Sequence, residues 1–164
     1  MRRSEWLILF ATSFIGVQAQ SRPSAPAAVV AKLYADFACE AADDAHGCTR
    51  GHELIDQPKA VLSRYFDPRL VRLWLADRAC AAKSQEICNL DFAPLWASQD
   101  PEGITVQILP AADSAHVDVE LRTPHASSPR VLRYSLIRTP GGWRIHDISF
   151  GREWSLVALL SRRH

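Results

Sequence analysis

Val131-Leu132-Arg133-Tyr134-Ser135-Leu136-Ile137-Arg138, then Thr139-Pro140-Gly141-Gly142, then Trp143-Arg144-Ile145-His146-Asp147-Ile148-Ser149-Phe150 is the stretch that decides the fold. The first run is rich in β-branched, aromatic and aliphatic residues. Pro and Gly interrupt it, and the second run returns with the same character. That is the pattern of an antiparallel hairpin. Immediately upstream, Val117, Val119 and Leu121 alternate with His116, Asp118, Glu120 and Arg122, and Ile104, Val106 and Ile108 alternate in the same way. Period two predicts strands with one apolar and one solvated face. The C-terminal half therefore reads as a meander of antiparallel strands.

Further towards the N-terminus the period changes. Val29, Val30, Leu33, Tyr34 and Phe37 fall at the three-and-four spacing of an amphipathic helix that ends near Cys39. Val61, Leu62, Tyr65 and Phe66 predict a short second helix. Asp67-Pro68 restarts the chain, with Asp as cap and Pro in the first turn of a third helix that runs to about Ala82. Residues 40–58 are polar and read as a loop. Residues 83–102 contain Pro94 and Pro101, which exclude a regular element there. Trp154, Leu156, Val157, Leu159 and Leu160 predict a short closing helix. Helices first and antiparallel strands afterwards predict an α+β fold, with the N-terminal helices packed on a curved antiparallel sheet.

The chain has 164 residues and is 48% apolar, enough for one domain with a substantial core. Nineteen Lys and Arg balance eighteen Asp and Glu, which provides no electrostatic reason to expect nucleic acid as a partner. At the N-terminus, Arg2 and Arg3 precede an apolar run from Leu7 to Val17, and Val17-Gln18-Ala19 has the character of a signal-peptidase site. The run is shorter than the roughly 20 apolar residues of a spanning helix. Residues 1–19 are therefore expected to be a cleaved signal peptide, 20–26 a flexible linker, and 27–164 a single domain in the periplasm or secreted, with no stable membrane anchor.

Export makes the four cysteines meaningful. Cys39 lies near Cys48, and Cys80 near Cys88. Local pairing is favoured among the three possible connectivities, and each bridge would stabilise the fold by roughly 2–3 kcal/mol in the chain-entropy model. Zinc held by Cys39, His46, Cys48 and His52 is the weaker reading, because the spacing matches no common zinc pattern.

Three segments carry a resemblance. The first opens with Ala28-Val29-Val30 and passes through Leu33-Tyr34-Ala35-Asp36-Phe37. The second is Leu62-Ser63-Arg64-Tyr65-Phe66, leading to the Asp91-Phe92 segment and the Gln99-Asp100 pair. The third is Gly141-Gly142-Trp143-Arg144-Ile145-His146-Asp147-Ile148, followed by Ser155-Leu156. Together, over roughly residues 26–163, the chain resembles nuclear-transport-factor-2-like proteins, and among them the exported bacterial family labelled domain of unknown function 3828. The resemblance implies a cone-shaped fold and an exported location. It implies no activity, since related families include both enzymes with an acid or His inside the cone and proteins that only bind.

No nucleophile elbow, phosphate loop or paired-His metal helix is present; His52-Glu53 lacks the second His. The acids and histidines within reach of a cone interior are Asp91, Asp100, His116, Asp118, His146 and Asp147. Alternation places His116 and Asp118 on a solvated face. Asp147 follows Trp143 and Ile145 at period two and so falls on their side, although capping a loop or pairing with an Arg is its commoner role. In the middle loop, Asp91, Phe92, Trp96 and Asp100 stand where aromatic and acidic side chains line a cone mouth, or else serve as core plugs and turn residues. Tyr65, Trp74 and Trp143 are expected in the core. The candidate pocket or interaction residues are thus Asp91, Phe92, Trp96, Asp100 and Asp147, with no catalytic residue, metal or cofactor assigned. The expected function is an exported binding or interaction module, holding a small apolar ligand in the cone or a protein partner as an inhibitor or immunity protein does. A homodimer is a further possibility. The alternative is a cofactor-independent isomerase- or dehydratase-like enzyme with an Asp or His in the cone.

Overall fold

The computed structural model describes residues 25–42, 51–109, 115–152 and 154–162. Three helices come first: α1 (Ala25–Asp36), α2 (Lys59–Tyr65) and α3 (Pro68–Ser84). Strands β1 (Thr105–Ile108), β2 (His116–Arg122), β3 (Arg130–Thr139) and β4 (Gly142–Ser149) follow, and α4 (Leu156–Leu160) closes the chain. The strands pair in chain order, all antiparallel, into one curled sheet. The fold is α+β. Among the described residues, no helix is long and apolar enough to cross a membrane.

Local chemistry accounts for the helix limits. The Asp67 carboxylate accepts a hydrogen bond from the Leu70 amide at 2.7 Å, and Pro68 takes the first position of α3. That helix ends where Gln85 adopts a left-handed φ of 59°. It runs two residues past the expected stop at Ala82. Ala25 and Pro26, read as the end of the linker, belong to α1; residues 20–24 and the signal segment 1–19 lie outside the described residues. Between α1 and α2 the chain is more structured than its polarity suggests. It forms 3-10 turns at Ala38–Ala41 and Leu54–Asp56, and Leu54 is fully buried.

Val117, Val119, Leu121, Leu132 and Tyr134 line the inner face of the sheet, while His116 and Arg122 stand exposed on the other. At the edge the alternation weakens: β1 has one strand neighbour, and Val106 is 38% exposed. Pro140 and Gly141 form the β3–β4 connection, with Thr139 opposite Gly142, whose φ of 99° suits glycine. Further along this hairpin Leu136 faces Ile145 but Ser135 faces Asp147, so His146 is an extra residue in β4. This is a β-bulge. Period two fails here, because Ile145 and Ile148 are both fully buried and Asp147 no longer shares a side with Trp143 and Ile145.

The helices cover the inner face, and aromatic rings fill the space between. The Tyr34 ring lies 5.3 Å from Trp96 and 6.1 Å from Tyr134, both edge-on. Its hydroxyl donates to the Leu95 carbonyl at 2.7 Å, so the Tyr134 hydroxyl, 2.8 Å away, donates to Tyr34. Burial raises the pKa of both phenols. Tyr65 and Trp74 are buried as expected, and Trp143 is only partly so.

Candidate functional site

The middle loop is irregular in backbone but firmly held. A disulfide joins Cys80 at the end of α3 to Cys88. The buried carboxylate of Asp77 accepts from the amides of Asn89 (2.8 Å) and Leu90 (3.2 Å), which fixes the chain as it leaves the bridge. Leu90, Leu95 and Trp96 then anchor the loop in the core. The Ala93 amide donates to the Ser98 carbonyl at 2.8 Å, and the Gly103 amide reaches back to the Ala41 carbonyl at 3.0 Å. Gly103 has φ of +73°, and a Cβ there would sit 2.9 Å from the Pro124 ring. Only glycine fits that exit.

Between this loop and the two 3-10 turns lies a surface cleft of about 570 Å3. Five carboxylates line it: Glu40, Glu53, Asp91, Asp100 and Glu102. Its apolar walls come from Ile55, Leu90, Phe92 and Pro94. No Lys or Arg is found among the described residues of the lining. Glu40 is the structural centre: one carboxylate oxygen accepts from the Trp96 indole N–H at 2.8 Å, the other from the Leu54 amide. Burial pushes its carboxyl pKa up, against those two hydrogen bonds, and neighbouring Glu53 pushes it further. Asp91 is exposed and accepts from the Gln99 side chain at 3.2 Å.

The structure brings Asp91, Phe92 and Asp100 together in this cleft. Trp96 lies in the core, 3% exposed, and bonds to the cleft residue Glu40. Phe92 also packs edge-on against Phe150 (5.4 Å) and Trp154 (5.8 Å). Asp147 stands elsewhere, accepting from the Ile148 and Val157 amides at 2.8 and 2.9 Å and so holding the start of α4. Asp118 pairs with Arg133 at 2.8 Å across β2 and β3. His146 meets Asp67 rather than any cleft residue. Cys39 is disulfide-bonded; Cys48 and His46 lie outside the described residues. Among the described residues, no three His, Cys, Asp or Glu side chains converge closely enough to hold a metal ion, those of the cleft included.

Sequence reasoning passed over Glu40, Glu102 and Asp77, and weighed Glu53 only as part of a metal motif. Glu40, Glu53 and Glu102 lie outside any periodic pattern, whereas Asp77 falls on the buried face of α3 at helical spacing from Leu70 and Trp74. The excess of acid over base across 86–102, where Glu86, Asp91, Asp100 and Glu102 meet no Lys or Arg, was the available signal.

No family model matches the chain, that of domain of unknown function 3828 included, and no curated protein matches it. Among solved structures, a phospholipid-binding protein from Ralstonia solanacearum, in complex with a phospholipid, is similar at 15% identity. The match covers 85% of this chain and 83% of that one, with a TM-score of 0.38, a level that assigns no fold family.

Proposed function

We propose that this protein is an exported, non-catalytic binding module that takes a basic, apolar-flanked segment of a partner protein into the acidic cleft. The observation that carries this reading is the lining itself: five carboxylates and apolar walls, with no Lys or Arg among its described residues. Such a concave single-sign surface attracts a cationic ligand and raises its on-rate, and the apolar walls add contact area that a bare ion does not use. The amide hydrogen bonds to Asp77 and the Cys80–Cys88 bridge hold the loop in place before binding, which lowers the ordering cost. Packing of Tyr34, Trp96 and Tyr134 in the interior supports recognition outside the cone rather than within it. The cofactor-independent enzyme is less favoured, because the acid–His pair of Asp67 and His146 does not line this cleft. Export rests on the N-terminal pattern and agrees with the bridge.

The test is fluorescence anisotropy of the purified protein with a labelled peptide alternating Arg and Leu. The peptide is expected to bind, with affinity falling as salt rises. An Asp91→Asn/Asp100→Asn/Glu102→Gln variant is expected to lose about tenfold or more. Equal binding of a peptide alternating Glu and Leu, or unchanged affinity in the variant, would overturn the reading.

A further inference from the structure

A second groove, of about 470 Å3, lies where α2 and the start of α3 meet the β3–β4 turn. Its charged lining residues are Lys59, Arg72 and Arg144, and no carboxylate is among them. Pro68 and Pro140 provide exposed apolar surface, and the buried Phe66 and Val71 form the floor beneath it. Although the whole chain is near neutrality, its charge is unevenly placed. From 59 to 72 the chain carries Lys59, Arg64, Arg69 and Arg72 against Asp67 alone. Asp67 is buried, and its two oxygens are taken by the Leu70 amide and His146.

Arg144 is the positioned cation. Its Nε donates to the Ser63 carbonyl at 3.0 Å and one terminal nitrogen to its neighbour Trp143's carbonyl at 2.7 Å. The guanidinium lies over the hairpin turn, where a Cβ on Gly141 would come within 3.2 Å of it. Two carbonyls orient this charge without neutralising it. Among the described residues, no carboxylate forms an ion pair with Lys59, Arg72 or Arg144. Three like charges around an apolar concavity repel one another, and a bound anion relieves that repulsion. The groove's volume falls within the range of small-molecule sites, about 300–1,000 Å3.

We propose that this groove is a binding site for a small soluble amphiphilic anion, with a phosphate, sulfate or carboxylate head set among Lys59, Arg72 and Arg144 and a short apolar body against Pro68 and Pro140. The site is independent of the acidic cleft. An anion alone leaves the apolar wall unused, and an uncharged hydrocarbon leaves the three cations unpaired. The geometry selects for both parts in one molecule.

The test is calorimetric titration of the purified protein with decyl phosphate below its micellar concentration, against decanol, inorganic phosphate and decyltrimethylammonium. Decyl phosphate is expected to bind about tenfold tighter than any of the three. Lys59→Gln/Arg72→Gln changes two exposed side chains, so circular dichroism should match the parent while affinity falls about tenfold. Ser63→Trp keeps every charge but occupies the groove, and it should abolish binding. Comparable binding of decanol, inorganic phosphate or decyltrimethylammonium, or unaltered affinity in both variants, would overturn the proposal. So would binding to vesicles containing anionic phosphatidylglycerol without binding to monomeric decyl phosphate, which would make the patch a membrane-facing surface instead.

Discussion

His146 Nδ1 lies 2.7 Å from Asp67 Oδ2, so the residue that bulges from β4 meets the residue that caps α3. The same Asp67 donates its amide to the Ile145 carbonyl at 2.9 Å. One buried acid thereby starts a helix and ties it to the sheet. The bulge has a use: it turns His146 towards a carboxylate that would otherwise be half-satisfied.

Asp67→Ala should cost about 1–2 kcal/mol from the lost cap, with a further loss from the unpaired groups around it. Asp67→Asn keeps an oxygen for the Leu70 amide and should cost less. His146→Ala should cost less than Asp67→Ala, because the ring is 35% exposed and the pair is partly screened. Urea denaturation of the three variants checks the order.

The paired phenols in the core make a second prediction. Tyr134→Phe removes one donor and should cost about 1 kcal/mol. Tyr34→Phe leaves both the Leu95 carbonyl and the Tyr134 hydroxyl without their partner and should cost more. If the two variants unfold at the same denaturant concentration, the hydrogen-bonded order assigned here is wrong.

All three tyrosines of the chain have raised phenol pKa values. Tyr65 is pushed up to about 12, by burial first and then by its hydrogen bond to the Asp36 carboxylate. Absorbance at 295 nm should therefore show no tyrosine titration near pH 10 while the protein is folded. Raised acids are more protonated in the folded chain than in the unfolded one, so stability should fall as pH rises above about 10. A phenol titrating at its ordinary value in the folded state would contradict the packing.

Glu40 follows the same sign at lower pH. Its carboxyl pKa is raised by burial, so the folded state holds the proton longer than the unfolded chain. Its contribution therefore weakens stability as pH rises through the window just above the ordinary carboxylate value. Glu40→Gln should remove that contribution, seen as a denaturation midpoint at about pH 7 that is higher relative to the one at about pH 4 than in the parent.

Opening the Cys80–Cys88 bridge by Cys80→Ser/Cys88→Ser should cost about 2–3 kcal/mol on chain-entropy grounds. The Asn89 and Leu90 amides, held by Asp77, should exchange hydrogen faster. Asp77→Ala should speed the same two amides with the bridge intact. Unchanged exchange in both would show that the loop is held by its buried Leu95 and Trp96 alone.

Much of this architecture was legible along the chain. The spacing of Val30, Leu33, Tyr34 and Phe37 announced α1, Asp67-Pro68 announced the start of α3, and Pro140-Gly141 announced the hairpin. Each is a local cause acting within one turn or one strand. Leu54 was not legible, because a single apolar residue in a polar stretch has no period. Asp91, Phe92 and Asp100 were readable as candidates since a loop concentrates them, whereas Glu40 and Glu53 join them only through folding. Trp96 read more readily as a core plug than as a cleft residue, and its burial agrees, while its indole N–H reaches the cleft residue Glu40.

By itself, the amino-acid sequence determined the order and kind of elements and the solvated face of β2. Dihedral preference, side-chain period and capping act between near neighbours, so they are written into consecutive residues. Tertiary structure alone decided the bulge at His146, the closing of the interior by Tyr34, Trp96 and Tyr134, and the sorting of charge into an acidic cleft and a basic groove. Those outcomes depend on which distant side chains share a volume, and Coulomb and packing energies depend on distance in space rather than along the chain.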